Sequence, residues 1–497
     1  MTVSWGGNMI RKALIGLAGL FLVLVAVVAG NTLTTRAPLP TPEPAATDRI
    51  GFRDQAALRL AEAVRFRTIS YGPGAPVEAA AFDALDSFLV RSYRRVHAVL
   101  GRESVNRFSR LYRWQGSEPD LKPILLIGHL DVVPVEEGTE GDWSEPPFAG
   151  IVADGAIWGR GTLDDKPAVL GPLEAIEYLL GQGVARPKRT VYLAFGHDEE
   201  LGGADGAGKI AALLAERGVR LAFTLDEGSI VAHDLVPGVD RPVALVGTAE
   251  KGYLSLELTA RAEGGHSSMP PRTTAVGKLA RAIDRLQTNP LPAALEPPAS
   301  DMFEFLAPRM ALPMRAVMAN RWLFEPLIVA RLEGSPSTNA MVRTTIAPTI
   351  VRGGVKDNVL PTEARGVINF RILPGETIAS VIEYVRRTVD DPDVDVRPVG
   401  DGNEPSPVSD SGSASFAALG RTVMQVFPDV AVAPALVIAG TDSKHYVGLA
   451  ENSYRFLPVR LGPKDLARFH GTDERITVES YAEVIRFYVR LLRNVAL

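Results

Sequence analysis

The chain contains no cysteine. Disulfide bonds and thiolate-held metal sites are therefore excluded, and any transition metal would have to be held by histidine, aspartate and glutamate. The same absence excludes a lipoprotein anchor but says nothing about compartment. There is no basic excess either: the formal net charge is -5 and the pI is near 5.9, which leaves no electrostatic footprint for nucleic acid. No internal repeat is visible. What remains is a 46% hydrophobic, 22% charged composition of ordinary globular kind. The 497 residues are enough for about two or three domains.

One stretch lacks charge altogether. Ala13 to Gly30 reads ALIGLAGLFLVLVAVVAG, directly after Arg11 and Lys12. It is at the short end of what spans a bilayer and longer than the roughly 7–15 residues of a signal-peptide core. The basic flank keeps residues 1–12 on the cytoplasmic side. Residues 13–30 are thus expected to be a transmembrane anchor, with the bulk of the chain outside the cytoplasm. Cleavage near Ala29 or Gly30, giving a secreted or periplasmic protein, is the alternative. Residues 31–48 carry Pro38, Pro40, Pro42 and Pro44, a spacing that favours an extended, semi-rigid spacer.

Beyond about Ile50 the texture is α/β. Ala56–Arg65 and Ala79–Leu100 have the apolar spacing of amphipathic helices. Pro123–Gly128, Thr190–Gly196 and Leu221–Leu225 are short apolar runs bounded by turn residues, as expected of buried strands in a mostly parallel sheet. Pro167–Leu180 supplies the crossover helix, with Asp164 or Asp165 as cap and Pro167 in the first turn, where a missing N–H is harmless. Near Gly247 the pattern changes. Lys251–Ala262 and Ala364–Ile372 alternate like antiparallel strands, accompanied by helices Val276–Leu286 and Thr377–Val389. This predicts an inserted α+β module. The α/β pattern resumes after Gly400 with helix Ser413–Val426, the apolar run Ala433–Ala439 and helix Val478–Leu492. The expected division is 49–248 and 401–497 for the main domain and 249–400 for the insert.

Chemistry concentrates after the three core strands. Pro123–Gly128 runs into His129-Leu130-Asp131, Thr190–Gly196 into His197-Asp198-Glu199-Glu200, and Leu221–Leu225 into Asp226-Glu227. Ligands of open α/β sheets bind beyond the carboxyl ends of strands, so these groups should converge. Gly159-Arg160-Gly161-Thr162-Leu163-Asp164-Asp165-Lys166 lies just before the crossover helix. Carboxylates gathered this closely repel one another and lose hydration, and a divalent cation is the usual compensation. Imidazole with carboxylate ligands suits catalytic zinc, with cobalt or manganese as substitutes. Asp131, two residues from His129, can orient its imidazole. Of Glu199 and Glu200, one can bind metal while the other serves as general base.

On these motifs, together with Trp143-Ser144-Glu145-Pro146-Pro147-Phe148 and Gly264-Gly265-His266-Ser267-Ser268, the chain resembles the co-catalytic zinc metallopeptidases from about Ile50 to its end. That family includes carboxypeptidase S, carnosinases, aminoacylases and succinyl-diaminopimelate desuccinylases, and the carboxypeptidase S and N-acyl-amino-acid hydrolase branch is the most similar. The resemblance implies two Zn2+ per chain, with His129 and Asp226 on one ion, Glu200 and His470 on the other, and Asp164 as the bridge. It implies Glu199 as general base, Asp131 as the orienting group and His266, in the insert or lid, as the residue polarising the scissile carbonyl. Asn358, Arg371, Gly440 and Thr441 would bind substrate, Arg371 as a carboxylate clamp. The implied substrate is a short peptide or N-acyl amino acid with a free carboxylate. His266 could serve its own site or that of a partner in a homodimer. The apolar stretch 302–342, longer than a minimal lid needs, could line an acyl pocket, cover the lid helices or touch the membrane. Pro167, where many relatives have a small or polar residue, falls at a helix start and leaves Asp164 free to act.

Overall fold

A computed structural model describes residues 5–43 and 51–497. Residues 1–4 of the expected N-terminal segment and 44–48 of the expected spacer lie outside the described residues. The centre is a ten-stranded mixed sheet. Strands Ile124–His129, Val191–Gly196 and Leu221–Asp226 are buried at every position. With helices covering both faces, neither side of these strands meets water, and they read as unbroken apolar runs. They pair in parallel, and His129 lies opposite Gly196. Strand Ala450–Arg455 extends the parallel set beside Leu221–Asp226, and Ala431–Val437 pairs in parallel with Val243–Glu250.

One edge differs from the sequence expectation. The helix expected over 79–100 breaks at Tyr93 into Ala79–Ser92 and Arg94–Val99. Tyr93 is fully buried and its hydroxyl donates to Glu174 at 2.9 Å. The chain then forms a hairpin, Gly101–Val105 and Ser109–Trp114, that joins Val191–Gly196 antiparallel. Its charged edge strand is ill suited to pairing with another chain.

The crossover helix runs from Lys166 to Gly181 with Pro167 in its first turn. Asp165 occupies the cap position, but its carboxylate makes no capping bond. The C-terminal helix Val478–Val495 crosses it so closely that a Cβ at Gly171 would lie 2.9 Å from both Tyr488 and Val484. Any larger residue here would force the Tyr488 ring and the Val484 side chain to shift.

The insert holds a four-stranded antiparallel sheet, in the order Thr345–Gly353, Glu363–Ile372, Gly252–Arg261, Val394–Asn403. Helices Ala275–Thr288 and Ile378–Val389 pack on it around a separate core that includes Leu256, Leu258, Ile368, Phe370, Val381 and Val385. The side chains of Thr274 and Thr377 cap these helices by accepting from Gly277 and Ser380 N–H groups. The helices Ala299–Leu306, Leu312–Ala319, Arg321–Leu332 and Pro336–Val342 are not part of this lid core. Met302, Phe303, Leu306, Ile328 and Leu332 are buried in the main core, and Ala299–Leu306 lies along strand Ala431–Val437. The region 249–400, expected as one lid, thus contributes a helical segment to the catalytic body.

At the N-terminus a helix runs from Trp5 to Thr34. Within it Arg11–Thr34, 24 residues, is long and apolar enough to cross a membrane, and its most hydrophobic window is 0% buried. Among the described residues that follow, 35–43 form no helix or strand, as the prolines predict. They are nevertheless not a free spacer: Leu39 packs on the main core, where a Cβ at Gly420 would meet its Cδ1 at 2.5 Å.

Candidate active site

The parallel register brings three strand ends to one edge of the sheet, and the loop ahead of the crossover helix closes over them. His129 Nε2 lies 2.9 Å from Asp164 Oδ1 and 3.3 Å from Glu227 Oε1. His470 Nε2 lies 3.1 Å from Asp164 Oδ2 and 3.4 Å from Glu200 Oε2. Asp164 therefore presents one oxygen to each imidazole. His129, Asp164 and Glu200 offer ligand atoms all within 4.8 Å of one another, as do His129, Glu199 and Glu227.

Asp131 is fully buried behind this group. His129 Nδ1 lies 3.0 Å from its carbonyl oxygen and 3.3 Å from its carboxylate Oδ1. The carboxylate also accepts from the Ser70 hydroxyl at 2.7 Å and from the backbone N–H groups of Glu199 and Glu200, each at 3.2 Å. One side chain thus sets the tilt of the imidazole and the position of the Glu-Glu pair.

A second buried carboxylate, which the sequence reading missed, organises the other half. Glu474 Oε1 accepts from the backbone N–H of Gly161 at 2.9 Å, Leu163 at 2.7 Å and Asp164 at 3.3 Å. Its Oε2 accepts from Arg160 Nη1 at 2.7 Å, and Arg160 Nη2 donates to the carbonyl of His470 at 3.1 Å. The guanidinium sits over the Trp143 ring, 5.3 Å from its centre. The loop carrying Asp164 and the loop carrying His470 are thereby stapled together, although more than 300 residues separate them. His470 itself has φ +56°, an uncommon conformation for a non-glycine residue that surrounding contacts must enforce. Glu474 lies only four residues after His470, but nothing local distinguishes it from a surface glutamate.

The two acids that follow the third core strand meet different partners. Asp226 Oδ2 accepts from the Ser443 N–H at 2.8 Å and the Ser443 hydroxyl at 3.0 Å, and Oδ1 accepts from the N–H of Glu227 at 2.9 Å. Glu227, its neighbour, faces His129 instead. Adjacent residues at a strand end point to different sides, so the two carboxylates meet different partners. The Asp226-Glu227 dipeptide was visible in the sequence; the face each carboxylate takes was not.

Of the expected substrate residues, His266, Asn358 and Arg371 lie in the insert, whereas Thr441 lies beside the cluster: Ser443 N–H donates to Thr441 Oγ1 at 3.2 Å and to Asp226 Oδ2 at 2.8 Å. His266 is exposed, on a short strand paired with Val359–Leu360, and its Nδ1 accepts from the Ser268 hydroxyl at 2.8 Å. The Asn358 carbonyl accepts from Ser267 N–H at 3.2 Å. Arg371 stacks 4.9 Å over the ring of Tyr253. Gly440 is exposed. Thr441 is buried, and both its N–H and its hydroxyl donate to Glu250, at 3.1 and 3.0 Å. The Thr441 amide is thus already engaged within the fold.

Electrostatics fit a cation site. Burial alone would keep His129 neutral, yet hydrogen bonds to Asp131, Asp164 and Glu227 hold its pKa well above the ordinary value. Asp164 and Glu200 push His470 up to about 10. Burial and then the charge of Asp164 raise Glu227 to about 8, and burial likewise raises Glu199. The imidazoles hold protons only because excess carboxylate surrounds them. Divalent ions would replace those protons and free the nitrogens as ligands. Glu200 Oε1 is buried without a hydrogen-bond partner, a cost that coordination would remove. The donor set is nitrogen and oxygen throughout, and it fits two such ions.

Residues 125–494 match the model of peptidase family M20/M25/M40. The chain belongs to this family. It is 41% identical to a probable carboxypeptidase S-like protein of Dictyostelium discoideum, over 98% of this chain and 93% of the relative. It is 42% identical to the human N-fatty-acyl-amino acid synthase/hydrolase PM20D1, over 79% of this chain and 78% of the relative. Among solved structures, an M20-family metallo-carboxypeptidase of Sulfolobus solfataricus superposes with a TM-score of 0.63 at 17% identity, covering 89% of this chain and 99% of that one. Human carnosine dipeptidase 1 gives 0.60 at 15% identity, covering 89% and 97%. As an M20-family member the chain is a metal-dependent hydrolase of amide bonds.

Proposed function

We propose that this M20-family enzyme hydrolyses the amide bond of N-acyl amino acids or short peptides bearing a free carboxylate, with two zinc ions as its native metals. The observation that carries this reading is Asp164, one oxygen toward His129 and the other toward His470. His129, Asp164 and Glu227 would hold one ion, and Asp164, Glu200 and His470 the other. Bound there, the ions would bring the pKa of a coordinated water toward neutrality and polarise the substrate carbonyl. Glu199, anchored through its backbone to Asp131, accepts a proton from the attacking water. It then delivers that proton to the amide nitrogen as the C–N bond breaks, so the amine leaves neutral.

His266, on the lid, stabilises the developing oxyanion. Arg371 and Asn358 receive the substrate carboxylate, with the exposed Gly440 contributing backbone. Thr441 acts one step removed, fixing that loop to Glu250. The names of the curated relatives support both acyl amino acids and peptides. The helix over residues 13–30 anchors the enzyme in a membrane, with the catalytic body outside the cytoplasm.

The test is turnover of full-length, zinc-loaded enzyme in detergent against a panel of N-acyl amino acids and dipeptides, beside Glu199→Ala. The expected result is hydrolysis by the wild type. Glu199→Ala should lose roughly 100-fold or more while elemental analysis still finds two metals per chain. Near-normal turnover by zinc-loaded Glu199→Ala would refute the mechanism, and a wild-type chain with far fewer than two metals would indicate a binding relic.

A further inference from the structure

The membrane-spanning helix does not stand clear of the catalytic body. Leu24, Val28 and Asn31 are partly buried and Thr32 is buried, whereas nearly all its other described side chains are exposed. These four form a stripe at helical spacing, and the element against it is the helix Leu312–Ala319. The contact is polar at its centre. Asn320, fully buried, accepts from Asn31 Nδ2 at 2.9 Å and donates to the carbonyl of Val28 at 3.3 Å and the hydroxyl of Thr32 at 3.4 Å. At about 1.5 Å per residue, Leu24 and Val28 lie roughly 9 and 3 Å inside Gly30, the end of the apolar run. With residues 13–30 read as a span, Asn320 holds the end of helix Leu312–Ala319 near the outer end of the apolar run.

The helices on either side of Asn320 expose large apolar groups: Leu312 at 62%, Trp322 at 60% and Leu327 at 61%, with Met314 and Leu323 less so. Trp322 and Leu323 stand two and three residues from the asparagine that grips the spanning helix. A water-soluble body seldom leaves such a group uncovered, and tryptophan beside a membrane span is typical of the lipid–water boundary. Glu325 is exposed on the same helix, as expected at the polar rim of a surface that lies in the interface rather than crossing it.

We propose that residues 312–327 form a second, interfacial membrane contact, inserting Leu312, Trp322, Leu323 and Leu327 among outer-leaflet lipids beside the spanning helix. This rests on the reading of residues 13–30 as a span. It makes the body docked rather than tethered. Ile328 and Leu332 join the segment to the main core, and Leu39 holds the intervening chain on the same body, so the active-site domain has a fixed orientation to the bilayer. Amphiphilic substrates dissolved in the leaflet would then meet the enzyme from one side.

The absence of cysteine makes the test direct. Leu20→Cys, Leu323→Cys, Leu327→Cys and Leu466→Cys are each made in the full chain, labelled with a nitroxide and reconstituted in phosphatidylcholine vesicles. Collision rates with oxygen and with a water-soluble nickel chelate are then read, and turnover confirms folding. The expected result is lipid-like accessibility, oxygen exceeding chelate several-fold, at positions 20, 323 and 327, and aqueous accessibility at 466. Lipid-like behaviour at 20 with aqueous behaviour at 323 and 327 overturns the proposal while leaving the span intact. Aqueous behaviour at all four removes the span and the proposal together. Protection of 323 and 327 from both reagents overturns it in favour of a contact between copies of the chain.

Discussion

At the scale of single residues, the site depends on two buried carboxylates, Asp131 and Glu474, that hold its other groups in place. Arg160 and Glu474 are both essentially inaccessible, so removing the cation strands a charge. Arg160→Ala should destabilise the protein by about 3–5 kcal/mol, read by denaturant unfolding, and should lower occupancy of the metal held by His470, read by elemental analysis. An unchanged metal content would mean that His470 holds its place without the staple. The adjacent acids after the third strand provide a sharper contrast. Glu227→Gln should reduce metal toward one ion per chain. Asp226→Asn should keep both, because its carboxylate is engaged with Ser443. The reverse pattern would assign Asp226 as the ligand.

At the scale of elements, the hairpin Gly101–Trp114 is held to helix Ala79–Ser92 through Asp86. Arg110 Nε donates to its carboxylate at 2.6 Å, and Arg102 pairs with the same oxygen. Burial would raise the Asp86 pKa, but the two guanidinium groups outweigh it and hold the carboxyl below its ordinary value. A carboxyl depressed in the folded state binds fewer protons there than in the unfolded chain. Its contribution is therefore complete above the unfolded value, near 3.9, and is lost as pH falls through the lower folded value. Asp86→Asn should cost about 2 kcal/mol at neutral pH. The difference from wild type should shrink below about pH 4, measured as unfolding midpoints across pH. A pH-independent difference would show that shape, not charge, is what Asp86 supplies.

At the scale of the whole molecule, the cluster joins segments from the first core strand to the last loop, so metal binding and global stability are linked. At a free metal concentration 100 times the dissociation constant, a site that forms only in the folded state adds about 2.7 kcal/mol. Chelation should lower the thermal midpoint, and zinc should restore both the midpoint and turnover. An unaltered midpoint after verified metal removal would mean that the staple alone keeps the loops closed. The proline-spaced segment reads as a spacer, yet Leu39 and Asn31 bind it to the body, and the apolar stretch 302–342 joins the main core rather than the lid.

The sequence by itself determined the main α/β sheet, the alternating lid strands and most of the chemistry. Those features are written in local order: burial on both faces gives unbroken apolar strands, and parallel strands must deliver His129, Glu199 and Glu200 to a common edge. The charge-free run 13–30 was equally legible as a helix long and apolar enough to cross a membrane, because length and composition are local properties. Family resemblance, not local pattern, pointed to His470. Tertiary structure alone decided the rest. Which of Asp226 and Glu227 faces the imidazole depends on the side from which the Ser443 loop packs. Glu474 becomes an organiser only when its loop meets the Gly159–Asp164 turn. The grip of Asn320 on the N-terminal helix joins residues almost 300 positions apart. Each of these is a contact between segments far apart in sequence, and no local spacing encodes what a side chain will meet across the fold.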